Sequence, residues 1–150
     1  MAKNIKEIHP DYILCFKVGS FYHCFGKDAY IMSYIFGYQL KYQNKSGMDN
    51  NMCSVGYPKN ALPKVQARLE KEKINYILID TRNNYDVDEK SDNKNLNTYL
   101  KIYEKAKKYV KLKRRINRIS DNLILQISDD NLIEKLRKIE EIINNESWKI

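Results

Sequence analysis

Cysteine, proline, glycine and tryptophan are all scarce in this 150-residue chain, which contains three, three, five and one of them. The odd number of cysteines and the lack of a Cys-x-x-Cys pair argue against a disulfide framework. Because His9 and His23 are the only imidazoles, a structural zinc site is not expected either. We therefore expect Cys15, Cys24 and Cys53 to be reduced, half-buried packing residues, and we expect no metal and no other cofactor.

Long hydrophobic runs are also missing. No stretch approaches the roughly 18 consecutive apolar residues that a membrane-spanning helix needs. The first seven residues, MAKNIKE, lack the apolar segment of a secretory signal. These absences predict a cytoplasmic protein with no membrane partner.

Positive charge, in contrast, is in excess. Lys and Arg number 27 against 19 Asp and Glu, which gives a formal net charge of +8. A basic protein favours an anionic partner, with nucleic acid the first candidate. The chain is also rich in Lys, Asn, Ile and Tyr, a bias that AT-rich genomes impose on all their proteins. The net charge alone therefore leaves the choice of partner open.

The first half of the chain reads as alternating strands and helices. Residues 12–18 and 21–25 are β-rich and flank a Gly19-Ser20 turn, which predicts a hairpin. A short amphipathic helix is predicted over 27–36, closed by Gly37. The pattern continues with a strand over 38–42, a polar loop over 44–51, a strand from 52 to 55, a helix capped by Asn60, and a central strand over 74–80. Residues 1–82 are thus predicted to form an α/β (α+β) domain, a small mixed sheet flanked by helices.

The composition changes after Arg82. Residues 83–95 are polar and acidic, with only Tyr85 and Val87 to bury, and they predict a linker or loop. Beyond them, apolar residues recur at helical spacing from Leu96 and again from about Asp129. We therefore predict a C-terminal helical hairpin over residues 96–150.

One stretch of the first half resembles a known family. From His9 to Ala29 the sequence HPDYILCFKVGSFYHCFGKDA is similar to the opening of domain I of the MutS family of DNA mismatch repair proteins. Family members read His-Pro, an apolar strand, Gly-Asp-Phe-Tyr-Glu-Leu-Phe, then an acidic residue and Ala. The segment 52–58 (MCSVGYP) resembles a later family segment, and the resemblance extends over residues 9–82. It rests on the order of these segments and not on any one motif.

The resemblance implies a DNA-reading role for the hairpin. In the family, the Phe of Phe-x-Glu stacks on a mispaired base and the Glu hydrogen-bonds the same base. These positions are Phe21 and His23 here, with Tyr22 between them, and Ser20 replaces the usual Asp. An imidazole can still form a hydrogen bond, but it lacks the repulsion that a carboxylate exerts on intact duplex. The alternative is that Phe21 is a core residue of the hairpin.

A second candidate surface is the basic helix. Nine cations crowd residues 101–118 with a single acid, Glu104, and three tyrosines (Tyr99, Tyr103 and Tyr109) are interleaved. Lys113, Arg114 and Arg115 form the densest part. This pattern predicts a surface that contacts phosphates. The alternative is a solvated helix face neutralised by glutamates of the following helix.

Catalysis finds no support in these residues. The chain contains no phosphate-binding Gly-x-x-x-x-Gly-Lys-Ser/Thr loop, and Asp11 and Asp80 lack the neighbouring acids that metal-assisted DNA cleavage requires. The leading hypothesis is a non-enzymatic DNA-binding protein for mismatched or distorted duplex, or for single strands. The alternative is a protein-interaction module that docks on repair, recombination or mobile-element machinery through its C-terminal helices.

Overall fold

A computed structural model describes residues 2–42, 53–82, 85–91 and 97–147 of the chain. The chain divides into two compact units, Met1–Val110 and Lys111–Ile150, and each is described by itself below. Within the described residues, no helix is long and apolar enough to cross a membrane.

The first unit is built on a six-stranded mixed sheet in the order β3-β4-β2-β1-β5-β6. Only β1 and β5 pair in parallel, and the other four neighbouring pairs are antiparallel. The strands are β1 (Ile13–Val18), β2 (Phe21–Phe25), β3 (Lys41–Tyr42), β4 (Cys53–Pro58), β5 (Tyr76–Asp80) and β6 (Asp86–Lys90). The connection between β2 and β3 contains one helix, the connection between β4 and β5 contains another, and further helices precede β1 and follow β6.

Three helices and part of a fourth accompany the sheet in this unit. They are α1 (Ala2–Ile8), α2 (Lys27–Phe36), α3 (Leu62–Lys71), and the first part of α4 (Asn97–Leu125). A short 3-10 turn, Lys59–Ala61, leads into α3, and a proline stands in the first turn of that helix, where its missing N–H costs no hydrogen bond.

The core lies mainly on one face of the sheet. Alternation along β1 and β2 sends Cys15, Tyr22 and Cys24 into a large cluster with α2, α3 and α4. The opposite face carries a smaller cluster of Leu14, Phe16, Ile77 and Ile79, against which Ile5 and Tyr12 pack. Successive strand residues point to opposite faces, so the two clusters share the same strands.

The predicted fold class is confirmed. A mixed sheet is flanked by helices, and two long helices, α4 and α5 (Leu132–Ser147), follow. The hairpin predicted at Gly19-Ser20 is present, since Val18 pairs directly with Phe21 and Gly19 takes the left-handed φ of +62° that the tight turn requires. Helix α2 has the predicted bounds. The predicted loop over 44–51 lies outside the described residues.

Several features of the first unit differ from the sequence-based expectation. Asn60 does not cap α3, which follows Ala61 without a side-chain cap, and β3 covers only Lys41–Tyr42 of the strand predicted over 38–42. The linker predicted over 83–95 is wrong for Asp86–Lys90, which form β6 at the edge of the sheet, paired with β5. An edge strand is held by main-chain hydrogen bonds to one neighbour and needs few apolar side chains, so its composition resembles that of a loop. Helix α1 was not predicted; it contributes only Ile5 to the smaller cluster.

The second unit begins inside α4. The first half of α4 belongs to unit 1, because Tyr99, Tyr103, Ala106 and Val110 pack into the large cluster. The boundary between the units therefore lies at Lys111 and not within residues 83–95. Unit 2 comprises the rest of α4 and α5, joined by a turn in which the Leu132 amide donates to the Asp129 carbonyl. Lys135 Nζ donates to Gln126 Oε1 across this turn at 2.8 Å.

Candidate nucleic-acid interface

Three rings follow one another on the outward side of β2. Phe21 and Phe25 are 49% and 39% exposed, and His23 between them is half-buried. The centroid of the His23 ring is 6.5 Å from that of Phe21 and 6.4 Å from that of Phe25. We call Phe21, His23 and Phe25 the β2 aromatic row. Alternation places these three side chains together on the face opposite the main core.

The position of His23 depends on a glycine in the neighbouring strand. His23 pairs directly with Gly56 of β4. A Cβ added at Gly56 would lie 3.2 Å from both Cε1 and Nδ1 of the imidazole, which is too close without a shift of the ring. The imidazole therefore lies over the β4 backbone, in space that a side chain at position 56 would crowd.

Tyr22 does not belong to this surface, and its inclusion with Phe21 and His23 was wrong. Its side chain is 4% exposed and lies in the main core. The ring stacks on Tyr57, with centroids 5.5 Å apart and planes at 18°. Burial raises the pKa of the Tyr22 hydroxyl, and the Asp88 carboxylate adds to the effect. The residue between two outward rings must point inward.

A buried carboxylate, Asp28, anchors the start of α2 just after the aromatic row. Lys6 Nζ donates to Asp28 Oδ1 at 2.6 Å, the Tyr99 hydroxyl donates to the same oxygen at 2.5 Å, and the Leu14 amide donates to Oδ2 at 3.1 Å. Burial raises the pKa of Asp28, and Lys6 and the hydrogen bonds oppose that rise. The family resemblance marks an acidic residue here, but its partners lie far apart in sequence and no local pattern predicts them.

The predicted basic residues belong to the other unit. Lys113 and Arg115 are exposed and Arg114 is half-buried, all on the part of α4 that lies in unit 2. Phe21 and His23 lie in unit 1, so the predicted site residues do not form one cluster within a single unit. Two of the tyrosines predicted to interleave with the cations are not on the surface, since Tyr99 and Tyr103 are in the unit 1 core. Tyr99 and Tyr103 are four residues apart and therefore lie on the same side of the helix. That side packs into the main core.

The cysteines are buried and form no disulfide. Cys24 Sγ lies 3.6 Å from Cys15 Sγ across the β1–β2 pair. In the described part of the chain, His, Cys, Asp and Glu side chains nowhere gather in a group of three that could hold a metal ion.

Sheet, hairpin and exposed rings together define an α/β domain that presents aromatic side chains from one β-strand. Its family follows from comparison with known proteins. Residues 2–120 match the model of the MutS domain I family, so the chain belongs to this family of DNA-recognition domains.

Individual relatives agree with this assignment. The chain is 36% identical over 68 residues to the DNA mismatch repair protein MutS of Thermus aquaticus, a match that covers 45% of this chain and 8% of that protein. It is 39% identical over 59 residues to the MutS of Parabacteroides distasonis, which is 39% of this chain and 7% of the relative. It is 33% identical over 77 residues to the MutS of Flavobacterium johnsoniae, a match that covers 51% of this chain and 9% of that protein. The chain thus spans less than a tenth of the length of these relatives.

Proposed function

We propose that this chain binds DNA without catalysing a reaction on it, and that the Phe21 end of the β2 aromatic row contacts mismatched or distorted duplex. The observation that carries the proposal is the placement of Phe21. Its ring is half exposed at the first residue of β2, directly after the Gly19-Ser20 turn, in the position that the family uses to stack on a base. An exposed aromatic ring at a projecting turn can enter a base step.

The energy of such a contact favours deformed DNA. Unstacking a base step costs a few kcal/mol, and less where pairing is already disrupted. Stacking on an aromatic ring returns about 1–3 kcal/mol per base. The net gain is therefore largest at a mismatch. His23, held over Gly56 beside Phe21, can offer the same base one hydrogen bond without adding a fixed negative charge.

The cations of α4 would supply affinity that does not depend on sequence. Lys113, Arg114 and Arg115 carry three positive charges within one helical turn. Each contact between a cation and a phosphate releases counterions from the DNA. Affinity that comes from such contacts therefore falls as the salt concentration rises.

The test measures binding of labelled perfect and single-mismatch duplexes at two salt concentrations. Phe21→Ala should weaken binding to mismatched duplex by about 1–3 kcal/mol and leave the melting temperature nearly unchanged, since the ring contributes little to the core. Val18→Ala is the matched control, because Val18 is equally exposed and pairs with Phe21 in β1. His23→Glu should reduce affinity for perfect duplex more than for mismatched duplex.

Two results would contradict the proposal. A large loss of stability in Phe21→Ala, on the scale of about 3–5 kcal/mol for a core phenylalanine, would make Phe21 structural. Equal losses on both duplexes in His23→Glu would show that His23 faces no base.

The alternative, a protein-interaction module, is favoured by one observation. The helices of unit 2 expose large apolar side chains, including Ile116 at 65% and Leu125 at 83%, and soluble proteins seldom leave such a face in water unless a partner covers it. Size-exclusion chromatography with light scattering tests this alternative by comparing the protein with Ile116→Ser and Leu125→Ser.

A further inference from the structure

The exposed rings extend beyond the tip at which the proposed function places a mismatched base. Phe25 stands four residues after Phe21 on the same strand, and at about 3.3 Å per residue the two lie roughly 13 Å apart. A single wedge at the hairpin does not need an exposed ring at this distance. Phe25 is nevertheless 39% exposed, with Phe16 beneath it at 5.9 Å.

The strand residues directly beside Phe21 and His23 carry no charge. Strand pairing puts Val18, Gly56 and Pro58 on the same face as the row, through Val18↔Phe21, Gly56↔His23 and Pro58↔Phe21. Gly56 offers no side chain beside His23, and His23 and Phe25 have nearly parallel planes, 25° apart. Exposed aromatic rings whose neighbours on β4 have short side chains can accept flat ligands.

Charge on this face is positive. Lys41 pairs with Ser54, which pairs with Phe25, so Lys41 shares the face of the row two strands away. Lys90 lies on it as well, opposite Ile77. Among described strand residues with a paired partner, these two are the charged ones on this face.

Two carboxylates of the edge strand β6, those of Glu89 and Asp86, point to the other face. Glu89 Oε2 accepts a hydrogen bond from Gln66 of α3 at 2.8 Å. Asp86 pairs with Asp80, which lies on the face of Tyr22 through its pairing with Lys17; Asp88 falls within the register shift of β6. The aromatic face is thus complementary to a polyanion with exposed π-systems, which describes an unpaired nucleic-acid strand.

We infer that the whole β2 aromatic row, and not its tip alone, binds single-stranded nucleic acid, with consecutive unpaired bases stacked on Phe21, His23 and Phe25 and the backbone beside Lys41. Sheet-surface aromatics at neighbouring positions are an established arrangement for holding two or three splayed bases. The inference deepens the proposed function because both use Phe21. It depends in addition on Phe25, which a single wedge does not require.

The first test uses fluorescein-labelled ten-nucleotide oligo(dT) and oligo(rU) as probes in fluorescence anisotropy. Phe25→Leu should weaken binding by about 5- to 150-fold, from about 1–3 kcal/mol per stacked base, and Phe25→Tyr should restore it. The matched control is Val87→Leu, at an exposed position of β6 on the same face but three strands away from the row. The DNA and RNA probes differ in their sugars, so their relative affinities distinguish the two sources of an unpaired strand.

A second measurement does not depend on a variant that could lose stability. Oligo(dT) carrying 5-iodouracil is photocrosslinked to the unaltered protein, which is then digested with trypsin. Cleavage after Lys17 and Lys27 releases residues 18–27, a peptide that contains the entire row, and this peptide should carry the crosslink.

Wild-type affinity in Phe25→Leu, or crosslinks confined to other peptides, would overturn the inference. Binding of mismatched duplex that needs Phe21, combined with no binding of either oligonucleotide, would overturn it and leave the proposed function standing. Binding of the oligonucleotides that needs Phe25, without preference for a mismatch, would support the inference and contradict the proposed function.

Discussion

Lys6 of α1 and Asp28 of α2 form an ion pair of 2.6 Å in which the carboxylate is almost fully enclosed and the ammonium is partly exposed. The same ammonium donates to the Tyr12 carbonyl at 2.6 Å, and the Tyr99 hydroxyl of α4 lies 3.2 Å away. One buried carboxylate therefore connects α1, β1, α2 and α4. This contact fixes the start of α2, and with it the end of the β2 aromatic row.

Removing the cation should destabilise unit 1 strongly. Lys6→Met leaves Asp28 buried without its countercharge, and breaking a buried pair in this way costs about 3–5 kcal/mol; the partial exposure of Lys6 places the expected loss near the lower end. The measurement is urea denaturation. Lys64→Met on the exposed side of α3 should change stability by no more than about 0.5 kcal/mol. In a double-mutant cycle, Lys6→Met with Asp28→Asn should cost less than the two single changes added together.

Stability should fall in strong base, partly because of Tyr76. Burial, followed by the Glu70 carboxylate, whose Oε1 accepts a hydrogen bond from the Tyr76 hydroxyl at 3.0 Å, raises the pKa of Tyr76 to about 12. Because the pKa of Tyr76 is higher in the folded state, its protonated hydroxyl contributes to stability. This contribution is complete below the pKa of the unfolded chain, near 10, and is lost as the pH rises from there towards 12.

The free energy of unfolding, measured between pH 9 and 11, should therefore decline less steeply in Tyr76→Phe than in the unaltered chain, by up to about 1.4 kcal/mol per pH unit. Glu70→Gln, which keeps the hydroxyl and removes the charge, should give an intermediate slope. Identical slopes in all three proteins would show that Tyr76 ionises alike in both states.

Gly56→Ala should disturb His23 without breaking the sheet. Gly56 has no left-handed φ, so alanine suits the strand, but its methyl would meet the imidazole at 3.2 Å. The ring must move, and we expect a several-fold loss of DNA affinity with little change in melting temperature. In a His23→Ala background the same substitution should have no further effect on binding. An equal loss in both backgrounds would mean that the methyl acts on something other than His23.

The basic segment of α4 is tested by charge removal. Lys113, Arg114 and Arg115 changed together to Ala should flatten the log–log dependence of DNA affinity on salt by up to about 2.7, or about 0.9 for each phosphate that the protein no longer neutralises. The matched control is Lys135, Arg137 and Lys138 changed to Ala, which removes the same charge from exposed positions of α5 in the same unit. Equal effects of the two triple variants would show that α4 contributes to DNA binding only through its net charge.

Local pattern was sufficient for β1, β2, α2 and the fold class, but not for α1 or β6. The alternation of β1 and β2, the Gly19-Ser20 turn and the helical spacing of α2 each depend on residues within one or two turns of chain, and all three have the predicted bounds to within a residue. The boundary between the units was not accessible in this way. The spacing of tyrosines in α4 is compatible both with a helix that packs on no sheet and with one whose first half, from Tyr99, packs on a sheet.

The sequence by itself determined that Phe21, His23 and Phe25 share one side of a strand and that Tyr22 takes the other, because side chains alternate at a period of two. Only the tertiary structure decided which side is covered. Helices α2, α3 and α4 pack on the face that carries Tyr22, so Tyr22 is buried against Tyr57 while Phe21, on the opposite face, stays exposed. The Asp28 carboxylate likewise meets Lys6 and Tyr99 across 22 and 71 residues, and contacts over such separations are set by the packing of whole elements, which a local pattern does not contain.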